Sequence, residues 1–266
     1  MKAARIEDPA ASEELADFGD RRVPRGEKAS LVRALFDGVA SRYDLMNDLM
    51  SAGVHRVWKA ALVDAVNPVP PLRLVDVAGG TGDIAFRIWD RLVRRDVNAA
   101  ATSRIVVCDP SAGMLNVGRD RALDRGVPVD VVQFVGGTAE ALPLPEASQD
   151  AYTIAFGLRN VTDMDQALAE ARRVLHWGGR FLCLEFGGPV TPALARAYQV
   201  YSDAVIPRLG ALVAGQEDAY RYLVESIRRF PDRAAVAARM ERAGLARVRA
   251  DALLGGVATL YSAWRI

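Results

Sequence analysis

Between residues 72 and 186, short apolar runs alternate with stretches of helical length, and no other feature restricts the fold of this chain so severely. The runs are Leu72 to Ala78, 104–109 (RIVVCD), 130–135 (DVVQFV), 151–156 (AYTIAF) and 180–186 (RFLCLEF). They are close to continuously apolar, as strands covered on both faces must be. Between them, Ile84 to about Arg94 predicts a helix. Ser111 can cap a second helix reaching about Arg125. Asp163 or Asp165 can start a third running to Leu175, stopped by Gly178 and Gly179. Strand alternating with helix implies a doubly wound α/β fold, a parallel sheet with helices on both faces.

The ends of the chain read differently. ARVRADALL and VATLYSAWRI are β-prone runs joined by Gly255-Gly256, the pattern of a hairpin, so the sheet is expected to gain an antiparallel pair at its end. Residues 1–26 are polar and broken by Pro9, Pro24 and Gly26, and read as a mobile tail. From Glu27 a helical pattern through Leu31, Leu35 and Phe36 opens a cap of short helices over 27–67, closed by Pro68, Pro70 and Pro71. Residues 187–230 form a tyrosine-rich helical insertion. The expected organisation is therefore one domain over 27–266, carrying the cap and the insertion.

The 266 residues are 51% hydrophobic, enough for one large core. Lys and Arg number 34 against 33 Asp and Glu, a net charge of +1, so no global field favours nucleic acid. Cys108 and Cys183 sit inside apolar runs, which suits buried thiols in a reducing compartment. The charged N-terminus shows no secretory signal, and no apolar stretch is long enough to span a bilayer. A cytoplasmic enzyme is expected, with peripheral contact at the inner face of a membrane left open. No metal site is expected.

The first strand ends in VDVAGGTGD (75–83). In an open parallel sheet, ligands sit beyond the carboxyl ends of the strands. Glycines there let a ligand approach the main chain, and the N–H groups opening the next helix attract a polar group. Taken alone, such a turn is equally well a plain strand-to-helix link that needs glycine. Asp109 closes the second strand, where a carboxylate can accept hydrogen bonds from ribose hydroxyls; it can also merely introduce the helix after Pro110. Thr138 and Ala139 lie just past the third strand, placed to read an adenine edge with a hydroxyl and a backbone N–H. Together these signals favour an adenosine-containing cofactor. The order Ala78-Gly79-Gly80-Thr81-Gly82-Asp83 lacks the third glycine of a dinucleotide turn. Carboxylates at Asp76 and Asp83 are awkward beside a diphosphate and tolerable beside a cation, so S-adenosylmethionine is favoured over NAD.

Four segments, VASRYDLMNDLMSAGVHRVWK (39–59), VDVAGGTGD, FGLRNVTD (156–163) and YRYLVESI (220–227), resemble the UbiE-type ubiquinone/menaquinone biosynthesis C-methyltransferases. The similarity runs from about residue 27 to the C-terminus. It implies a class I methyltransferase fold, a mostly parallel seven-stranded sheet, and methyl transfer from S-adenosylmethionine to a ring carbon of a polyprenyl quinol. It implies cofactor contacts at Thr81, Asp109, Thr138 and Ala139, beside Asp76 and Gly79 of the same turn. The family often has Asn where Thr138 stands, Ser where Ala155 stands, and Lys-Pro where His176-Trp177 stands. Expected partners are the quinol, a membrane surface, other quinone-synthesis enzymes and a second copy of the chain, with no nucleic acid.

Methylating a quinol carbon requires in-line placement, a stabilised phenolate and a route for protons. Arg159 is the main candidate for the phenolate, because guanidinium stays charged; its bland alternative is an ion pair with Asp163 or Asp165. His55 titrates near neutrality and is the candidate base, or a structural histidine. Tyr43 and Asn47 are candidates to order a lid, and Asp76 to orient the glycine turn. Tyr198, Tyr201, Leu209, Leu212, Val213, Tyr220 and Tyr222 either line a tunnel for the prenyl tail or pack the insertion on the sheet.

Overall fold

The computed structural model describes residues 14–39, 48, 51, 53–188 and 217–266. Strands β3 (Arg73–Val77), β4 (Arg104–Asp109), β5 (Val132–Gly136), β6 (Gln149–Ala155) and β7 (Leu175–Phe186) pair in parallel, and β8 (Ala246–Leu253) and β9 (Ala258–Trp264) add an antiparallel pair. The seven-stranded order is β5-β4-β3-β6-β7-β9-β8. Alternation along the strands builds two cores. Leu74, Ile105 and Val107 join one cluster, while Val75, Val77 and Cys108 face the other. Both cysteines are buried free thiols.

Helices cover both faces: α1 (Arg25–Val39), α2 (His55–Val66), α3 (Asp83–Arg95), α4 (Ala112–Asp124), α5 (Met164–Val174), α6 (Glu217–Arg229) and α7 (Arg233–Arg242). The caps anticipated from sequence are made. Ser111 Oγ accepts from Met114 N at 3.0 Å, and Asp163 Oδ1 accepts from Gln166 N at 3.0 Å.

Two boundaries differ from expectation. Residues 14–26, assigned to the tail, are ordered: β1 (Leu15–Phe18) and β2 (Arg21–Pro24) form a hairpin leading straight into α1. What orders them is distant in sequence. Phe18 is buried against Tyr222, ring centroids 4.6 Å apart, and Arg229 reaches Asp17 and Asp20, each at 3.2 Å. Pro24 ends a strand of a two-stranded sheet and Gly26 sits in the first helical turn, positions where neither breaks structure. The second difference is β7, which starts directly at Leu175 and takes Gly178 and Gly179 inside it. Gln149 pairs with Leu175 and Ala151 already pairs with Arg180, so residues 176–179 bulge out, with Gly178 at φ +82°.

Of the cap, residues 40–47, which include Tyr43 and Asn47, lie outside the described residues. So do Tyr198, Tyr201, Leu209, Leu212 and Val213 of the insertion, and the side chain of Tyr220. Tyr222 is described: its ring packs tilted against Phe18 and its hydroxyl donates to Asn160 Oδ1 at 3.2 Å.

Candidate active site

Strand β3 has β4 on one side and β6 on the other, and the chain runs outward from it in both directions. Loops leaving β3 and β6 therefore diverge and leave a crevice at their carboxyl ends. A cleft of about 1090 Å³, mouth included, opens there. Asp76, Gly79, Thr81, Asp109, Thr138 and Ala139, separated by up to 63 positions in sequence (139 − 76), all line it.

The floor is the glycine turn. Gly80 (φ +55°) and Gly82 (φ +83°) take the left-handed backbone open to glycine. Gly79 is needed for space: a Cβ there would stand 2.8 Å from Asp76 Oδ2, 2.8 Å from Val107 Cγ1 and 2.9 Å from the Asp76 carbonyl oxygen. Asp109 ties this turn to its own loop. Its Oδ2 accepts from Gly80 N at 2.9 Å and its Oδ1 from Ser111 N at 2.8 Å, and each oxygen keeps a second acceptor site. The Thr81 hydroxyl accepts from Arg121 Nη1 at 3.0 Å and retains its own proton to donate.

Asp76 was expected to orient the glycine turn, but its carboxyl makes no hydrogen bond to that turn. Its Oδ1 accepts from Thr153 Oγ1 on β6 at 2.8 Å, and its Oδ2 is buried with no partner. Burial raises Asp76 to about 7, opposed by the Thr153 bond and reinforced by the nearby Asp83 charge. Burial likewise raises Asp109 to about 6, against the two N–H bonds that favour its charge. Burial would also raise Asp83, but Lys59 Nζ at 2.8 Å and Arg87 Nε at 3.0 Å hold it below the usual carboxylate range.

The two catalytic candidates that are described stand elsewhere than expected. Neither His55 nor Arg159 is on the cleft wall. His55 is buried with its Nδ1 2.8 Å from Ser51 Oγ, and burial, helped by Lys59, lowers it to about 4, leaving a neutral and weakly basic ring at pH 7. Arg159 is turned to a buried partner that sequence reading did not single out, Glu185, with Nη1 to Oε1 at 2.8 Å. The acids proposed for it are taken by others: Asp163 pairs with Arg25 and Asp165 with Arg239. Lys59 and the α1 residues Val32 and Phe36, which close the cleft, were also missed. Lys59 carried a usable signal, a lysine on the apolar face of α2 four positions after His55. Glu185 carried one too, an acid inside the otherwise apolar run FLCLEF.

Comparison with known proteins gives these residues a context. The sequence model of the ubiE/COQ5 methyltransferase family matches residues 24–265. The chain belongs to the ubiE/COQ5 methyltransferase family. It is 53% identical over 259 residues to a ubiquinone/menaquinone biosynthesis C-methyltransferase UbiE of Methylobacterium nodulans, covering 97% of this chain and 99% of that one. It is 47% identical to the mitochondrial 2-methoxy-6-polyprenyl-1,4-benzoquinol methylase of rice, covering 94% and 88%. Among solved structures, an S-adenosylmethionine-dependent methyltransferase from Thermotoga maritima superposes with a TM-score of 0.60 at 18% identity, covering 88% of this chain and 99% of that one, a likeness of fold. This family member is an S-adenosylmethionine-dependent C-methyltransferase.

The cleft fits that cofactor. An unpartnered buried carboxylate oxygen and two carboxyls held above their ordinary values are what a cationic ligand would relieve. Between pH 3.8 and their raised values of about 7 and about 6, Asp76 and Asp109 of the ligand-free protein keep protons that the unfolded chain has already lost. Their contribution to stability is complete below the unfolded value and is lost as pH rises through about 6 to 7. A bound cation favours the ionised forms, so donor affinity should rise over the same window. The increase in Tm caused by saturating S-adenosylmethionine is expected to be larger at about pH 8 than at about pH 5.5. Equal increases, followed by scanning fluorimetry, would show that these carboxyls do not meet the cation.

Proposed function

We propose that Asp76, Gly79, Thr81, Asp109, Thr138 and Ala139 form the seat of the methyl donor, and that the chain uses it to methylate a ring carbon of a polyprenyl quinol in ubiquinone or menaquinone synthesis. The single observation that carries the reading is the pair of buried, raised carboxyls at the sheet's switch point, one with an oxygen left unpartnered. When bound, S-adenosylmethionine supplies an electrophilic methyl group on a cationic sulfur. The free Asp76 oxygen takes the donor's ammonium group, and the remaining lone pairs of Asp109 take ribose hydroxyls. The Thr138 hydroxyl and the Ala139 N–H read the adenine edge. Gly79 keeps the floor flat enough for the main chain to touch the donor. The apolar roof of Val32 and Phe36 excludes water, which strengthens each of these contacts.

Cells lacking the protein are expected to accumulate a desmethyl quinone, whose ring names the acceptor as benzoquinol or naphthoquinol. An unchanged quinone profile would reject the reading.

The acceptor's prenyl tail is lodged in a bilayer, so the enzyme must work at its surface. Among the described residues no helix is long and apolar enough to cross a membrane; peripheral docking is the mode this reading requires. The protein is expected to float with vesicles loaded with polyprenyl quinol. Recovery wholly in the soluble fraction would count against docking.

A further inference from the structure

The expected role of Arg159 leaves a question, because its charge is spent on a buried acid outside the cleft. Glu185 is fully buried, near the end of β7. Its Oε1 accepts from Arg159 Nη1 at 2.8 Å and from Phe186 N at 2.9 Å, and its Oε2 accepts from Arg159 N at 3.2 Å. The same Arg159 Nη1 donates to the carbonyl oxygen of Phe156. Phe156 is where the backbone is unusual: φ is +57°, a left-handed conformation that an aromatic residue rarely adopts. It persists only when its surroundings over-determine it. Here Phe156 N donates to Leu184 O at 2.7 Å, its carbonyl is held by Arg159, and its ring packs tilted against Phe186 with centroids 4.7 Å apart.

That turn shapes the cleft. Phe156 and Gly157 both line it, and Gly157 lies so close to the donor-side turn that a Cβ would stand 2.5 Å from Ala78 Cβ. Trp58, Phe156 and Phe186 form a connected aromatic cluster, with Trp58 6.3 Å from Phe156 and 6.2 Å from Phe186. Of these three rings Phe156 is the one on the cleft wall, and its face suits a planar quinol ring, whereas Asp76 and Asp109 suit the donor. A buried ion pair contributes little net stability compared with apolar residues of similar volume. What this pair does specify is the path of the backbone between the two halves of the site.

We propose that Glu185 is a positioning residue for methyl transfer: it fixes Arg159, and Arg159 holds the Phe156 carbonyl in the turn that sets the Phe156 ring against the glycine turn. This rests on the reading that a quinol is methylated in this cleft. Two variants of the full chain test it, each measured for turnover with a polyprenyl quinol and for S-adenosylmethionine binding by calorimetry. Glu185→Gln keeps the shape of the side chain and removes its charge. It is expected to lower kcat by about 100-fold, the scale of an ångström-sized misplacement of reacting groups. The donor Kd should stay within about 3-fold, because the Asp109 bonds to Gly80 and Ser111 are untouched. The double variant Arg159→Met with Glu185→Leu removes both charges. It should still show the loss in kcat, together with a lower Tm, because the N–H groups of Arg159 and Phe186 lose the acceptor that Glu185 provided.

Wild-type kcat in Glu185→Gln would overturn the proposal. So would a loss confined to Tm or to donor Kd. Recovery of turnover in the double variant would overturn it as well, reducing the pair to charge neutrality; if Glu185→Gln does not fold, the double variant decides alone. A wild-type enzyme that binds the donor yet methylates no quinol would overturn the functional reading along with this one, and so is distinct from those failures.

Discussion

Asp109→Ala is expected to weaken S-adenosylmethionine binding by about 100- to 1000-fold, the equivalent of roughly 3 to 4 kcal/mol. The carboxylate does two jobs at once. It satisfies Gly80 N and Ser111 N, and it offers its remaining lone pairs to the ligand. Truncation leaves two N–H groups without a partner, at about 1 to 3 kcal/mol each where water cannot replace it. The acceptors for ribose are lost as well. Gly80 is also released from its tether, so the left-handed turn becomes one conformation among several before the donor arrives. Calorimetry measures the effect directly, with far-UV circular dichroism to verify the fold. A Kd within about 3-fold of wild type would show that the donor sits elsewhere.

Gly79→Ala is the second large expected effect, and its cause is volume rather than backbone conformation. The added methyl would meet Asp76 Oδ2, Val107 Cγ1 and the Asp76 carbonyl oxygen at 2.8 to 2.9 Å. One of these atoms belongs to the backbone of β3 and cannot rotate away. Overpacking of this kind costs about 1 to 3 kcal/mol. The relief available is to push the turn into the cleft, where the donor must lie. Both Tm and donor affinity should therefore fall. Gly80→Ala is the informative contrast, since its Cβ would meet only Met114 Sδ, at 3.9 Å. Its penalty is the left-handed φ of +55°, about 1 to 2 kcal/mol. If Gly79→Ala proved the milder of the two in Tm, packing at the floor would not be what the glycine provides.

That Asp76, Gly79, Thr81, Asp109, Thr138 and Ala139 share one cleft was legible because each signal is local. A glycine turn follows a strand, an acid closes the next strand, and a polar pair follows the third. The strand-end rule brings such positions together without knowledge of side-chain contacts. The surroundings of Arg159 and His55 were not legible in that way. Arg159 looked like a free cation because its sequence neighbours offered Asp163 and Asp165, and its actual partner lies 26 positions away on the adjacent strand. His55 looked titratable because an isolated histidine is. Burial decides otherwise, and burial is set by how α2 packs on the sheet. The N-terminal hairpin was hidden for a similar reason: what orders Phe18 is Tyr222, at the other end of the chain.

The alternation of apolar runs with helical stretches and the glycine link between the last two runs were sufficient to determine the α/β class and the closing hairpin, and turn chemistry with nearby carboxylates favoured S-adenosylmethionine as the cofactor. Those properties follow from local periodicity, turn chemistry and the sign of nearby charges, all written in adjacent residues. Tertiary structure alone decided which carboxyl stays unpartnered, which cation is already matched, and where an aromatic residue is held in a left-handed turn. Each of these depends on desolvation and on contacts between distant segments, and neither exists until the chain has folded.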